Sequence, residues 1–243
     1  NDSIPERAYY PQIGCLVNWL FDTYGVDKIN RLYPVKRKKI EEKFLEDQFG
    51  IKKEFWSKAT DKGISEEHVS IDLMVRQFGM FGAKKNEIFF ENDFLTGTPD
   101  VIHNGIVYDI KTSFSGSTFP FFANEIPSKA YFYQLQAYMN LTGLRSAKLI
   151  YCLVDTPDQM IQDEIRRQTW KKGLIDSTPE LEAEVYSQMT FEHIPEELRI
   201  RIFDVEYCEE TIKAIEERVI LCREYYNTLK TTINNRLNTK ANV

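Results

Sequence analysis

Gly97-Thr98-Pro99-Asp100-Val101-Ile102-His103-Asn104-Gly105-Ile106-Val107-Tyr108-Asp109-Ile110-Lys111 is the stretch that decides how this chain folds. Asn104-Gly105 between two apolar runs is the strongest short-range hairpin signal, a two-residue type I′ turn. Counting outward from that turn, His103 opposes Ile106, Ile102 opposes Val107, Val101 opposes Tyr108 and Asp100 opposes Asp109. Opposed residues point to one face with Cβ atoms ~5 Å apart. Strand side chains alternate, so Lys111 shares the face of Asp109. Two carboxylates ~5 Å apart repel by about 3 kcal/mol at an effective dielectric of ~20. A marginally stable fold carries that term when a cation or a proton relieves it. Lys111 relieves part. A hard divalent ion relieves more, and oxygen-only ligands suit Mg²⁺ or Mn²⁺. A surface hairpin with incidental acids is the competing reading, and the apolar residues on both of its faces argue against it.

Upstream, Pro11 to about Tyr24, Lys36 to Phe49 and Asp61 to Phe78 have helical spacing, the last with Ile64, His68, Ile71, Val75 and Phe78 on one side. The period then changes to strands at 88–91, 94–103 and 106–111. Ser113 to Ser128 is a Gly/Ser/Pro/Phe loop, long enough to be functional. Beyond it come a helix at 129–140, a buried strand at 148–154, helices at 158–172 and 179–189, a strand at 199–207 and a long helix from Glu209 to about Leu237. This order predicts an α/β protein with a central mixed β-sheet flanked by helices. One domain is expected over 1–243, with an N-terminal helical region (1–60), a core (61–157) and a C-terminal completion (158–243).

Composition narrows the class. The 243 residues are 42% hydrophobic, 28% charged and 13% aromatic, which excludes disorder, and four cysteines are too few for a disulfide scaffold. The clean apolar run 149–154 is far short of the ~20 residues of a membrane span. No basic-then-apolar leader opens the chain, so a cytoplasmic protein is expected. Net charge −6 argues against coating duplex DNA through bulk electrostatics. Yet ten cations against five acids between Lys28 and Lys58, with Lys36, Arg37, Lys38 and Lys39 at the centre, can grip a phosphate backbone locally; a solvated helix face explains the same run. Three scattered histidines disfavour a His-built zinc site, and no phosphate-cradling Gly-x-x-x-x-Gly-Lys loop is present. Cys15, Cys152, Cys208 and Cys222 form no Cys-x-x-Cys pair and are expected as buried free thiols.

Pro99-Asp100 followed by Asp109-Ile110-Lys111 resembles the signature of the PD-(D/E)xK nuclease superfamily, whose core is the restriction-endonuclease-like fold. Gly63-Ile64-Ser65-Glu66-Glu67 is similar to the Gly-x-x-x-Glu/His motif of its RecB-like and lambda-exonuclease-like (YqaJ-type) branches, and Gln134-Leu135-Gln136-Ala137-Tyr138 to their Gln-x-x-x-Tyr motif. Four motifs in order, on the expected elements, cover about Asp61 to Val154.

The resemblance implies a metal-dependent deoxyribonuclease, an exonuclease of recombination and repair and often phage-encoded. Asp100, Asp109, the main chain of Ile110 and Glu67 would hold Mg²⁺ or Mn²⁺. Lys111 would orient or deprotonate water, and Gln134 and Tyr138 would contact the phosphate or scissile strand. Thr112 and Ser113 supply hydroxyls for phosphate contacts, with Lys36, Arg37, Lys38 and Lys39 as further DNA-binding candidates. Phe114, Phe119, Phe121 and Phe122 either stack on a frayed base or pin the loop. Glu67 has a competitor one residue on, His68, expected instead on the apolar stripe. The implied partner is DNA, as linear ends, duplex or single strand, and no membrane. Relatives also admit a homo-oligomer, a ring-forming trimer among them, and a single-strand annealing protein as partner. A Cas4-like adaptation nuclease with four cysteines on an iron–sulfur cluster, a restriction-type endonuclease and a non-catalytic binding module on a decayed nuclease fold are the alternatives.

Overall fold

The structure, a computed structural model, describes residues 33–51 and 57–241. The expected helix at Pro11–Tyr24 lies outside the described residues. Helix α1 (Tyr33–Phe49) is followed by α2 (Lys58–Ser65) and α3 (Glu67–Phe78). A short hairpin, β1 (Phe90–Glu91) and β2 (Thr96–Gly97), leads to β3 (Val101–His103) and β4 (Ile106–Thr112). Helix α4 (Lys129–Thr142) connects to β5 (Ser146–Cys152). Then come α5 (Asp158–Lys171), α6 (Pro179–Met189), β6 (Ile200–Glu206) and the long α7 (Glu209–Ala241).

The main sheet runs β3-β4-β5-β6, antiparallel, parallel, antiparallel, so it is mixed as expected. Asn104 (φ 48°) and Gly105 (φ 76°) both take the left-handed conformation that a type I′ turn requires. The register is the one counted from the sequence: Val101 opposite Tyr108, Ile102 opposite Val107, His103 opposite Ile106. The parallel pair β4–β5 needs a crossover, and α4 supplies it.

Alternation along β4 splits the core in two. Val107 joins Leu149, Phe203 and Val205 beneath Leu135, Tyr138 and Met139 of α4. Tyr108 and Ile110 turn the other way, onto Ile71, Leu73 and Met74 of α3. Each such side chain, fully buried, contributes ~1.5–3 kcal/mol. The first half of α7 packs Ile212, Ile215 and Val219 on Tyr133 and Ala137 of α4. Farther along, Cys222 and Tyr226 meet Ile40 and Phe44 of α1. α5 and α6 close on each other through Ile161, Ile165, Leu181 and Val185.

Two expectations fail. The single helix at 61–78 is two, because Glu66 leaves the helical region (φ −103°, ψ 10°). The bend rotates the stripe: Ile64 is 71% exposed and His68 is exposed, while Lys62, Ser70, Leu73 and Met74 are buried. The strand at 94–103 is likewise interrupted between Gly97 and Val101, where Pro99 has no N–H to donate to a ladder. Among the described residues no helix is long and apolar enough to cross a membrane.

Candidate active site

Val107, Asp109 and Lys111 alternate onto the face covered by α4, so the fold places a carboxylate under a helix. Asp109 is wholly buried, and neither of its oxygens has a hydrogen bond of acceptable geometry. The Lys111 ammonium lies 2.7 Å from Oδ2. Asp100 sits just before β3, and its Oδ2 accepts the Ile110 amide at 2.6 Å. Its main chain is fixed too, since the Asn86 amide donates to the Asp100 carbonyl at 2.7 Å. The two acids and the lysine therefore meet on one side of the sheet, as the hairpin count requires.

Their charges interact strongly. Burial, and then the neighbouring Asp109 carboxylate, push Asp100 up to about 7. Burial alone lowers a lysine, but Asp109 and Asp100 outweigh it and raise Lys111 above its ordinary value. Lys111 Nζ also lies 4.7 Å over the Tyr131 ring. Tyr138 is pushed up to about 12 by burial and then by Asp109. Gln134 Nε2 donates to Tyr138 Oη at 2.9 Å, so the two motif residues of α4 meet each other one turn apart. Tyr138 also explains Gly97: a Cβ there would lie 2.5 Å from the tyrosine ring. Gln136 turns away, clamping Glu206 O and Cys208 N at the end of β6.

A pocket of about 590 Å³ opens over these groups, lined by Glu67, Asp100, Lys111 and Ser113 with Gly63 of α2 and Phe114 of the following loop. The Glu67 carboxylate is taken by Lys85 Nζ at 2.5 Å. Thr112 points to the α3 side, where its hydroxyl is 2.8 Å from that of Ser70. The Ser113 hydroxyl is buried and has no partner in the protein. Of the loop aromatics, Phe119 is in the core and packs edge-on against Phe121, whereas Phe122 is 95% exposed. Sequence reasoning did not separate these roles, because all sit in one irregular stretch with no period to read.

The basic run falls on α1, away from the sheet, on the helix that packs against α7. Lys36 lies in that helix; Arg37 stacks on Tyr225, Lys38 is exposed, and Lys39 pairs with Glu42 at 2.9 Å. Missed altogether were Lys62 and Lys85, which belong to no apolar period and no motif.

The donor set fits a hard divalent cation, because buried carboxylate oxygens without hydrogen bonds are otherwise a large cost. Among the described residues no three His, Cys, Asp or Glu side chains converge enough to enclose an ion. Two carboxylates and a main-chain carbonyl would be the protein's share of such a site, a number that suits Mg²⁺, which retains water. The three described cysteines are free: Cys152 lies in the core beneath α3 and Cys222 between α1 and α7.

Solved structures share this architecture. A phage-related exonuclease from Haemophilus somnus 129PT superposes with a TM-score of 0.72 at 23% identity, covering 93% of this chain and 98% of that one. An alkaline exonuclease from Laribacter hongkongensis gives 0.62 at 11% identity, with 92% of each chain covered. The same enzyme in complex with dAMP gives 0.55. This chain shares the fold of these structures. The α/β architecture expected from the sequence, a mixed sheet flanked by helices, is thus shared with them over nearly the full length. No protein-family model matches the chain, and no curated protein matches it.

Proposed function

We propose that this chain is a metal-dependent deoxyribonuclease, an exonuclease acting on DNA ends in phage-type recombination and repair. The observation that carries the reading is the Asp109 carboxylate, sealed under α4 with both oxygens short of hydrogen bonds and facing Asp100 and Lys111. The exonuclease fold of its structural neighbours, one of them holding dAMP, supports the same reading.

Asp100, Asp109 and the Ile110 carbonyl would hold Mg²⁺ or Mn²⁺, with Glu67 reaching the ion after leaving Lys85. The ion, when bound, lowers the pKa of a bound water and offsets charge on the phosphate. Lys111, whose pKa its two acids raise, would orient the attacking water or stabilise the developing oxyanion. Tyr138, protonated, donates to a phosphate oxygen with Gln134 fixing its hydroxyl. Ser113 offers its unpartnered hydroxyl at the pocket wall. The basic run Lys36–Lys39 would act on more distant phosphates, from α1. DNA is the proposed partner; a homo-oligomer and an annealing-protein partner belong to the same reading.

Digestion of end-labelled linear and covalently closed circular DNA with Mg²⁺, Mn²⁺ or EDTA tests this. Metal-dependent release of end label with circles left intact is the expected result. Cleavage of circles makes it an endonuclease instead. Absence of both cleavage and Mn²⁺ binding by calorimetry makes it a decayed, non-catalytic module.

A further inference from the structure

Parallel strands diverge at their C-terminal edge, and carbonyls there lose their ladder partners. In this protein β4 and β5 separate after Thr112 and Cys152. Ser113 N still donates to Cys152 O at 2.8 Å. Two residues past the last ladder pair on each strand, Phe114 O and Val154 O have left that ladder, and one ammonium reaches both. Lys62 Nζ donates to Val154 O at 2.7 Å and to Phe114 O at 3.2 Å. Its side chain is wholly buried. Nζ also lies 5.1 Å from the Phe191 ring centre, and the Phe191 amide donates to Asp155 Oδ1 at 2.5 Å.

We infer that Lys62 is a positioning residue: by tying Phe114 O to Val154 O it fixes the loop carrying Ser113, Phe114 and Thr118 as one wall of the nucleic-acid pocket. The inference rests on the nuclease reading for what enters the pocket, and on geometry alone for the latch. The wall is specific. Ser113, Phe114 and Thr118 line the pocket over Asp100 and Lys111, and α2 offers Thr60, Gly63 and Ile64 to the same space. Phe114 and Ala59 also border the neighbouring cavity of about 900 Å³, so the latched loop divides the two. A buried ammonium is costly, and burial pulls Lys62 down to about 8, with Asp155 and Glu66 opposing. A simple core position would be filled by an apolar residue. Here the donor is required because both acceptors are backbone carbonyls that no side-chain change can remove. Lys62 itself faces carbonyls and a ring, not the pocket, and so acts through the loop.

The test is Lys62→Met, read in three ways. Hydrogen exchange at the Ser115, Thr118 and Phe119 amides, bonded within the loop in the native protein, is expected to quicken. The KM for DNA is expected to rise about tenfold, the factor for one charge-assisted hydrogen bond, with kcat changed less than threefold. Equilibrium binding of a fluorescent oligonucleotide in EDTA should weaken with an unchanged slope of log K against log salt. Unaltered loop exchange overturns the inference. So does a fall in kcat at constant KM, or a salt slope smaller by about one, which makes Lys62 a direct phosphate contact. If Lys62→Met fails to fold, Lys62→Gln, which retains an amide donor, is read in the same way. Failure of both to fold makes Lys62 a residue of the core and also overturns the inference. An inactive wild type would sink the nuclease reading while leaving the exchange measurement of the latch intact.

Discussion

Lys62, behind the loop that walls the pocket, and Lys111, lining the pocket itself, are moved in opposite directions by their surroundings. Lys62, wholly buried, has neutral carbonyls as acceptors, and burial wins: its pKa falls to about 8. Lys111 keeps 22% of its side chain exposed and meets two acids, and charge wins: its pKa rises. At Lys62 the two carbonyl acceptors are matched by one donor group, and the result is rigidity. At Asp109 and Lys111 one cation faces two carboxylates, leaving the Asp109 oxygens without a hydrogen bond. The saturated cluster builds a wall; the unsaturated one is where a metal and a phosphate have something to gain.

The sharpest way to break this contrast is Asp109→Ala or Lys111→Ala, each expected to lower Mg²⁺- or Mn²⁺-dependent cleavage by about 10³-fold or more while the fold persists by circular dichroism. Full cleavage by either variant removes the assigned chemistry. Next in size is Lys111→Met in EDTA. It strands Asp109 in the interior without a counter-charge and should cost ~3–5 kcal/mol in urea unfolding, partly recovered by Mn²⁺. An unchanged midpoint would mean that Asp109 is better satisfied than its surroundings indicate.

The third prediction concerns pH and has the sign of a base whose folded pKa is depressed. Between about 8 and 10.5 the unfolded chain holds the Lys62 proton and the folded protein does not, so stability rises with pH across that window. The contribution approaches ~1.4 kcal/mol per pH unit, and the difference between wild type and Lys62→Met isolates it. Identical slopes would mean that the buried ammonium is not depressed.

The smallest effect is at Gly63, next to Lys62. A Cβ there meets nothing within 4 Å, although Gly63 is helical and lines the pocket. Gly63→Ala should stabilise the protein by ~0.5–1 kcal/mol and, if a strand approaches that backbone closely, weaken oligonucleotide binding. A gain in stability with binding unchanged would reduce the glycine to a loose helical position.

Much of this was legible in one dimension. Asn104-Gly105 is a local signal, so the hairpin register and the meeting of Asp100 with Asp109 follow from counting. The spacing of Gln134 and Tyr138 likewise foretold one helix face, now closed by a hydrogen bond. Periodicity failed where tertiary contacts set backbone direction. The bend at Glu66 exposed His68 and Ile64, and the gap at Thr98–Asp100 split an expected strand. Glu67 was read as an acid leaning to the ion; its side chain is paired with Lys85, a residue that no motif includes.

The sequence by itself determined the pairing of the acids, the lysine beside them and the mixed sheet that carries them, because turn chemistry and strand alternation act over a few residues. Only the tertiary structure decided that Asp109 is sealed from water, that Lys62 holds the pocket loop, and which loop phenylalanine is core and which is free. Burial depends on what packs from distant parts of the chain, and so does the strength of every charge and hydrogen bond at this site.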